Sequence, residues 1–359
     1  MKIKILIIFV IVLIRIQAVI GQAYYPFITK DNKWGYIDEE GNVKIKPKFE
    51  EVKLFHENLA AICLNRKWGY IDTNGNIRID TLFNEAYSFN EGIALIKMDS
   101  LYGYISSEGN FVISPQYIDG FSFNENRTIV KIDYRKWVII DTTNLIIANE
   151  IGYYGNEDGV PADYYFNSGF LVIPKSEYNS EITQILNIKG EKQRIPNLKL
   201  SSNGYSDSLI LFSKNGLCGY LNLTNKKIIK EKYNFASDFL DGEAWVINTD
   251  SGKYFIKMID KTNKILFEFL LNHDSIDILE ISNLGNEMCL IFYSNEGNNK
   301  VLILNSLGNI LSFSAAELMP TWTEYKYPHF KRLQGDLILI KQNNQYKYID
   351  MEGNTIWPN

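Results

Sequence analysis

The hexapeptide Lys33-Trp34-Gly35-Tyr36-Ile37-Asp38 recurs as Lys67-Trp68-Gly69-Tyr70-Ile71-Asp72, 34 residues later. A third, altered copy, Leu101-Tyr102-Gly103-Tyr104-Ile105-Ser106, follows after another 34 residues. A fixed period of this length indicates one supersecondary unit that has been copied along the chain. The sequence therefore predicts a repeat architecture, in which a repeated residue is first of all structural.

A turn signal extends the repeat to nine units. The residue that ends the hexapeptide is Asp, Asn or Ser in every unit, and the residue three positions later is Gly or Asn. The turn openers are Asp38, Asp72, Ser106, Asp141, Asn187, Asn222, Asp260, Asn305 and Asp350, and their partners are Gly41, Gly75, Gly109, Asn144, Gly190, Asn225, Asn263, Gly308 and Gly353. Openers of this kind cap a turn by accepting a hydrogen bond from the backbone two residues on. Gly and Asn tolerate a left-handed backbone. The pattern predicts a hairpin with a type I turn and a left-handed bulge residue.

Each unit predicts three short strands, so the fold class is all-β. The first strand is an apolar run such as 59–62, the second contains the Trp-Gly pair, and the third is a Val-x-Ile segment that Pro47 or Pro115 should end. The stretch from Phe49 to Phe55 predicts either a short fourth strand or a crossing loop. Because one such unit cannot bury its apolar face alone, neighbours must stack on it.

Two architectures satisfy this stacking. The first is a propeller-like ring of about nine three-stranded antiparallel units, and the alternative is an open β-solenoid or stack of meanders. Propellers usually have roughly four to eight blades, so one or two units could lie outside the ring. The repeat array should span 22–359, with longer loops near 145–167, 268–287 and 312–334 where the spacing of the turns lengthens.

Residues 1–21 predict a secretory signal peptide. Lys2 and Lys4 precede a run of ten apolar residues, 5–14, which is too short to span a bilayer. Cleavage is expected after Gly21, with Ala23 as the second choice. The chain should therefore be secreted, periplasmic or in the cell envelope, with no transmembrane segment in the mature protein.

The repeat resembles a known family. The pattern Lys-Trp-Gly-Tyr-Ile-Asp-x-x-Gly-Asn-Val-x-Ile-x-Pro, followed by Phe-x-Glu-x-Leu-Ala, is similar to that of the bacterial WG-repeat (KWG-repeat) proteins. The resemblance is close over 33–62 and 67–97, good over 101–131 and moderate around 218–245. It implies a β-rich repeat array that is often exported and has no general enzymatic activity. The family supplies no catalytic residues to carry over.

The repeated residues themselves are expected to be structural rather than functional. A Trp-Gly pair could stack a sugar, but a large indole beside a glycine also suits packing against a neighbouring unit. Each turn offers a single Asp, whereas calcium needs about six to eight oxygen ligands. The structural set is Trp34, Gly35, Asp38, Gly41, Trp68, Gly69, Asp72, Gly75, Gly103, Gly109, Asp350 and Gly353.

Composition limits the partners and the chemistry. The net charge is −5, and loss of the three cations in 1–21 would make it −8. An acidic chain without a basic cluster argues against nucleic acid. His56, His273 and His329 are isolated, so no metal, cofactor or catalytic residue is expected. Cys63, Cys218 and Cys289 are expected to be small core residues, and the alternative is that two of them form one disulfide bridge. A monomer is expected.

Function is best sought where the repeat is interrupted. Aromatic residues concentrate in two inserted loops, and aromatic side chains are enriched at binding interfaces. The candidate binding residues are Trp322, Tyr325, Tyr327, Tyr153 and Tyr154. They predict a non-enzymatic binding or scaffold module for a protein or glycan, unless they merely cap the array. The alternatives are a hydrolase with a carboxylate pair at the mouth of the ring, or a spacer without a specific ligand.

Overall fold

The computed structural model describes residues 24–134, 136–149, 166–176, 179–193, 199–226, 228–272, 276–295, 297–314, 337–342, 345–350 and 352–358. In these ranges the regular structure consists of 33 β-strands in nine antiparallel sheets. No helix that is long and apolar enough to cross a membrane occurs in the same ranges. The predicted signal peptide, 1–21, lies outside them.

The first three sheets, called blades 1 to 3, contain the clearest repeats. Blade 1 comprises β1 (Tyr25–Ile28), β2 (Trp34–Ile37) and β3 (Val43–Phe49). Blade 2 comprises β4 (Glu51–Val52), β5 (Leu59–Leu64), β6 (Lys67–Asp72) and β7 (Ile77–Phe83). Blade 3 comprises β8 (Glu85–Asn90), β9 (Ile93–Met98), β10 (Leu101–Ser106) and β11 (Phe111–Tyr117).

Blades 4 to 6 follow the same order. Blade 4 comprises β12 (Asp119–Gly120), β13 (Arg127–Asp133), β14 (Lys136–Asp141) and β15 (Ile146–Ala148). Blade 5 comprises β16 (Phe166–Asn167), β17 (Phe170–Ser176) and β18 (Asn179–Asn187). Blade 6 comprises β19 (Lys199–Ser206), β20 (Leu209–Lys214), β21 (Leu217–Asn222) and β22 (Ile228–Tyr233).

Blades 7 to 9, like blades 4 and 5, lack the glycine of the Trp-Gly pair. Blade 7 comprises β23 (Phe235–Ala236), β24 (Glu243–Asp250), β25 (Lys253–Asp260) and β26 (Ile265–Asn272). Blade 8 comprises β27 (Ile276–Gly285), β28 (Met288–Asn295), β29 (Asn298–Asn305) and β30 (Ile310–Ser314). Blade 9 comprises β31 (Ile338–Gln342), β32 (Gln345–Ile349) and β33 (Thr355–Trp357). The strands β26 and β27 occupy most of 268–287, where the spacing of the turns predicted a longer loop.

A full blade has four strands, not the three that the sequence predicted; they are called A to D in chain order, and strand C ends at the turn opener or one residue before it. The stretch after Phe49, left open by the sequence, forms strand A of the next blade. The prediction that proline ends the third strand was wrong, because Pro47 and Pro115 lie inside the D strands β3 and β11. The described strands of blades 1 and 9 correspond to B, C and D.

Every sheet is buried on both faces. In blade 2, Ala60 and Ile62 pack in a core cluster with blade 1, whereas Ala61 and Tyr70 pack in a cluster with blade 3. Nine such clusters join successive blades, and the ninth joins blade 9 to blade 1. The array is therefore a closed ring, a nine-bladed β-propeller. The propeller prediction is confirmed, the open alternative is wrong, and all nine units belong to the ring.

The two ends of the chain close the ring by packing face to face. Tyr348 of blade 9 donates a hydrogen bond to the Pro26 carbonyl of blade 1 over 2.9 Å. The Tyr25 and Tyr348 rings lie 5.4 Å apart, and Phe27 lies 5.0 Å from Trp357. In the described residues, β1 to β3 and β31 to β33 form separate sheets. Closure among these strands thus depends on side-chain packing and this hydrogen bond rather than on a shared sheet.

A buried tyrosine in strand C ties each of four blades to the next. Its hydroxyl donates to a main-chain carbonyl 17 residues later, beside strand A of the following blade, and its ring contacts a phenylalanine there at 4.7–4.8 Å. The donors are Tyr36, Tyr70, Tyr104 and Tyr220, and the acceptors are Lys53, Tyr87, Phe121 and Ser237 at 2.6–2.7 Å. The equivalent residues Ile139 and Met258 have no hydroxyl to donate.

The predicted turn chemistry is present in all nine units. Each opener accepts a hydrogen bond from the backbone N–H two residues on. The partner has a positive φ in eight of the nine turns. In the sixth turn the left-handed residue is Lys226, not the predicted Asn225, because this turn is one residue longer.

Two of the turn partners are Asn for a reason that lies in the neighbouring blade. Asn144 and Asn263 accept hydrogen bonds from the hydroxyls of Tyr117 and Tyr233, which end strand D of the preceding blade. Where strand D ends in Phe49 or Phe83, the next turn carries Gly instead. At these four blade junctions, therefore, a Tyr at the end of strand D occurs with an Asn in the next turn, and a Phe there occurs with a Gly.

The glycine of the Trp-Gly pair permits a bulge in strand D. A Cβ atom on Gly35, Gly69, Gly103 or Gly219 would lie 2.5–2.7 Å from a backbone oxygen of strand D. This distance is too short for any side chain to fit there. In these four blades the C–D register shifts at this point, as a bulge requires. In blades 7 and 8, Lys257 and Leu302 replace the glycine and the ladder runs there without a shift.

We expect Tyr70→Phe to destabilise the ring. The change removes the buried hydrogen bond that the Tyr70 hydroxyl donates to the Tyr87 carbonyl, so the free energy of unfolding should fall by about 1–2 kcal/mol. Chemical denaturation monitored by circular dichroism measures this change. Tyr134→Phe, on a side chain that is 58% exposed, is the matched control and should have no measurable effect. Equal stability of the two variants would contradict the assigned role.

The stability of the first turn should depend on acid pH. Burial alone would raise the pKa of Asp38, but hydrogen bonds from Lys44 and Asn42 outweigh burial and lower it from 3.8 to about 2. A lowered pKa contributes stability above the unfolded-state pKa, and this contribution is lost as the pH falls through the folded-state value. The contribution should be at most about 2 kcal/mol, fully present at about pH 5 and largely lost by about pH 2.

Asp38→Asn isolates this contribution, because Asn opens the same turn in blades 5, 6 and 8 and keeps the turn hydrogen bonds. The difference in unfolding free energy between the wild type and this variant should shrink as the pH is lowered. Urea titrations over this pH range measure it. A difference that stays constant would rule out the ionised Asp38 as its source.

Candidate functional site

The strand order defines two distinct ends of the ring. Because adjacent strands are antiparallel, the A–B and C–D turns lie at one end, and the B–C turns and D–A connections lie at the other. The D strands are outermost, since Val43, Ile77 and Phe111 are about half exposed at their starts. The A strands therefore lie toward the axis, and the A–B turns surround one mouth.

Acidic side chains link neighbouring A–B turns around that mouth. Each acid sits at the first turn position with a φ of 50–56° and accepts a hydrogen bond from a backbone N–H of the next blade's turn. The Glu57 carboxylate accepts from Gly92 at 2.9 Å, and that of Glu91 accepts from Glu125 and Asn126 at 2.7 and 2.8 Å. The Glu125 carboxylate accepts from Gly169 at 2.7 Å, and that of Asp207 accepts from Gly242 at 2.6 Å. We call these contacts the carboxylate latches.

The latches give the Glu of the Phe-x-Glu-x-Leu-Ala motif a structural role that the sequence analysis missed. Non-glycine residues in left-handed conformation are strained, and Glu57, Glu91 and Glu125 all adopt it. Their charged hydrogen bonds to the next turn offset that strain. Recurrence of Glu at 34-residue spacing was visible, but its partner lies in another unit.

A group of three carboxyl side chains lies beside two of these turns. Burial raises the pKa of Glu243, and the nearby charges of Glu287 and Asp241 raise it further. A carboxyl group whose pKa is raised by burial and by neighbouring acidic side chains is suited to the role of a general acid. In the described ranges, no group of three or more His, Cys, Asp or Glu side chains is arranged to hold a metal ion.

A mixture of charged and aromatic side chains lies between blades 2 and 3, at the end of the ring that carries the B–C turns. The Glu85 carboxylate accepts hydrogen bonds from Tyr87 at 2.7 Å, Tyr102 at 3.0 Å and Lys97 at 2.9 Å. Its side chain is 39% exposed, so solvent and ligands reach it. The Lys97 ammonium also lies 4.9 Å from the centre of the Tyr102 ring.

Lys53 and Trp68 extend this group, which we call the blade 2–3 cluster. The Lys53 ammonium lies 4.3 Å from the centre of the Tyr87 ring and 5.6 Å from that of Trp68. Both side chains are half-buried, and Trp68 packs against the core shared by the two blades. The cluster thus presents a positioned cation, a positioned carboxylate and aromatic surface side by side.

The charge states in this cluster suit binding better than proton transfer. Burial would raise the pKa of Glu85, but the hydrogen bonds from Lys97, Tyr87 and Tyr102 outweigh it and the pKa is lowered. Burial raises the pKa of Tyr87 and of Tyr102 well above the usual value for tyrosine. A general acid or base works best with a pKa near the working pH. These groups keep fixed protonation states at neutral pH.

The remaining predicted residues fall into two groups. Trp34 and Trp68 are half-buried against the blade 1–2 and blade 2–3 cores, so neither indole is fully enclosed by packing. Trp322, Tyr325, Tyr327, Tyr153 and Tyr154, together with His273 and His329, lie outside the described residues. The thiols of Cys63, Cys218 and Cys289 are not bridged, and burial raises the pKa of Cys63 to about 11.

The comparison with protein families agrees with the repeat. The family described as "WG containing repeat" matches residues 34–68, 68–102 and 102–137. The chain thus contains WG repeats, and the matched segments run from the C strand of one blade to that of the next. No curated protein sequence matches the chain.

Solved structures resemble the chain in fold alone. A structure titled as the eukaryotic initiation factor is 10% identical, covers 93% of this chain and 94% of its own, and has a TM-score of 0.53. The WD40 domain of Sif2 is 12% identical, with coverage of 82% and 92% and a TM-score of 0.37. BamB from Moraxella catarrhalis is 12% identical, with coverage of 92% and 88% and a TM-score of 0.32.

We expect Glu85→Ala to destabilise the junction of blades 2 and 3. The buried hydroxyls of Tyr87 and Tyr102 would lose their shared acceptor, at a cost of about 1–3 kcal/mol. Glu51→Ala is the matched control, because Glu51 occupies the equivalent position of blade 2 and is exposed. Differential scanning calorimetry compares the two. An equal shift in melting temperature would show that the Glu85 contacts contribute nothing specific.

Proposed function

We propose that this chain is an exported, non-enzymatic binding or scaffold module for a protein or glycan partner. The observation that carries the proposal is that most repeated residues have an identified structural role. The repeated Asp, Gly and Tyr positions and the carboxylate latches serve the turns, the bulges and the blade junctions. The blade 2–3 cluster adds to its structural contacts a cation, a carboxylate and aromatic surface at a partly exposed site.

Three properties of the cluster support binding. It is partly exposed, it offers a cation and an anion close together, and its side chains are held by several contacts each. Groups that are already ordered lose little conformational entropy when a partner docks. Such a surface complements a partner that presents both donors and acceptors. The aromatic loops around Tyr153 and Trp322 remain a second predicted contact region.

Export is the part of the proposal that rests on residues 1–21 alone. Their charged start and apolar run have the pattern of a secretory signal. An exported module would meet envelope proteins and surface or extracellular glycans, which are the two partner classes proposed.

The binding test compares capture by the wild type and by Lys53→Met, which keeps the aliphatic stem and removes the charge. Immobilised protein is exposed to the envelope and culture-fluid fractions of the source organism and to a glycan array. We expect one partner class to bind, with an affinity about tenfold weaker for Lys53→Met, which corresponds to about 1.4 kcal/mol. Lys232→Met is the matched control, because Lys232 also lies over a tyrosine ring, 5.0 Å from the centre of that of Tyr233, but outside the cluster.

A second variant, with Trp322, Tyr325 and Tyr327 changed to Ala, separates the loops from the cluster. Loss of capture in this variant alone, at an unchanged melting temperature, would assign binding to the loops. Capture by neither the wild type nor any variant would overturn the proposal and favour a spacer.

A hydrolase is the second candidate, and the group of Glu243, Asp241 and Glu287 is the observation that favours it. Hydrolysis of chromogenic glycosides by the wild type, abolished in Glu243→Gln, would support it. An inactive wild-type protein would remove it.

A further inference from the structure

The outer strand of blade 7, β26, is the most apolar exposed edge in the described ring. Its sequence is Ile-Leu-Phe-Glu-Phe-Leu-Leu-Asn, with a single charged residue, Glu268. Ile265, Leu266 and Leu270 are 48%, 42% and 41% exposed. Phe267, Phe269 and Leu271 face the core that blade 7 shares with blade 8 but are only partly buried. Apolar side chains therefore point to both faces of this edge.

From Phe267 to Asn272 the edge is also free of a bulge, unlike the outer strands of blades 1 to 3. There the Trp-Gly glycine admits a bulge, and in β3 the bulge carries Pro47 between Lys46 and Lys48. Bulges, prolines and lysines are the devices by which edge strands avoid pairing with other chains. In blade 7, Lys257 replaces the glycine and β26 pairs regularly with β25 from Asn272 to Phe267. Among the described strands, its sheet ends at β26.

We propose that β26 pairs antiparallel with β26 of a second copy of this chain. A two-fold axis perpendicular to the sheet leaves the side chains of both copies on the same faces of the joined sheet. Two residues can therefore face each other across the axis only if their numbers are both even or both odd. Centred on Glu268, this register sets Leu266 opposite Leu270 of the partner subunit and Phe267 opposite Phe269 of the partner subunit. Registers centred one residue to either side would set Glu268 opposite a leucine. The apolar pattern is thus self-complementary in one register.

The charges of the same row fit this register. Lys257 lies opposite Glu268 in the β25–β26 ladder, with Nζ 3.7 Å from Oε1. Across the dimer the row would read Lys257, Glu268, Glu268 of the partner subunit and Lys257 of the partner subunit. Each Glu268 carboxylate remains paired with Lys257 of its own chain, so the four charges sum to zero. The electrostatic repulsion between the two facing carboxylates is thereby reduced. The sequence alone gave no reason to expect more than a monomer, and this edge changes that expectation.

The test is the mass in solution, measured by sedimentation equilibrium over a range of concentrations. Pairing through a single edge gives a small interface, and small interfaces are transient. We therefore expect the mass of the wild type to rise with concentration from one chain toward two. Glu268→Lys, which puts four cations in the row, should hold the mass at one chain. Glu268 is 45% exposed, so loss of its ion pair should barely change the melting temperature.

Asp80→Lys is the matched control, because Asp80 is the fourth residue of the bulged outer strand β7, as Glu268 is of β26. This variant should behave as the wild type. Glu268→Cys tests the register, since the two thiols would face each other across the axis. Mild oxidation should link two chains in Glu268→Cys and not in Asp80→Cys.

Two outcomes would overturn the proposal. A wild type with the mass of one chain at every concentration would leave the edge to some other occupant, such as an extended peptide. A dimer that persists in Glu268→Lys, without cross-linking of Glu268→Cys, would place the contact on another face. Neither result bears on the proposed binding role of the blade 2–3 cluster, which lies at a different junction.

Discussion

The whole structure depends on the fact that each blade has two apolar faces and no way to cover either one alone. A sheet such as that of blade 2 buries small residues of strand B alternately toward the preceding and the following blade. Burial of apolar area is the main favourable contribution to folding. An open array would leave two such faces in water, at its first and last blades. Closure removes both, and the aromatic contacts of Tyr25 and Phe27 with blade 9 are where this occurs.

The repeat also shows how one sequence motif can serve several purposes. In the Trp-Gly-Tyr segment, the glycine makes room for a bulge of the outer strand, and the tyrosine reaches the next blade with its hydroxyl. The Glu of the downstream motif then joins the turns around one mouth. Blades 7 and 8 lack this glycine and this tyrosine; their strands are longer, and their C–D ladders run without a shift at the position of the glycine. The ring therefore tolerates two ways of building a blade.

Local chemistry was predictable from the sequence, whereas contacts between units were not. The nine turn openers and eight of their partners were identified because an Asp, Asn or Ser side chain and its backbone donor lie two residues apart. Asn225 was misassigned because one extra residue moves the left-handed position to Lys226. The latch between Glu91 and Asn126 and the pair of Tyr117 with Asn144 join different blades. The blade 2–3 cluster was missed for the same reason, since its residues come from separate strands of two units.

The matched pairs at the outer rim affect how such a ring can change. A tyrosine at the end of one blade needs an asparagine in the turn of the next, whereas a phenylalanine stands before a glycine. The hydrogen-bonding partners of a junction are thus encoded in two different repeats. Moving a blade to a new position would separate them and leave a hydroxyl or an amide without its match. At such a junction, two successive repeats must therefore change together if the contact between them is to be kept.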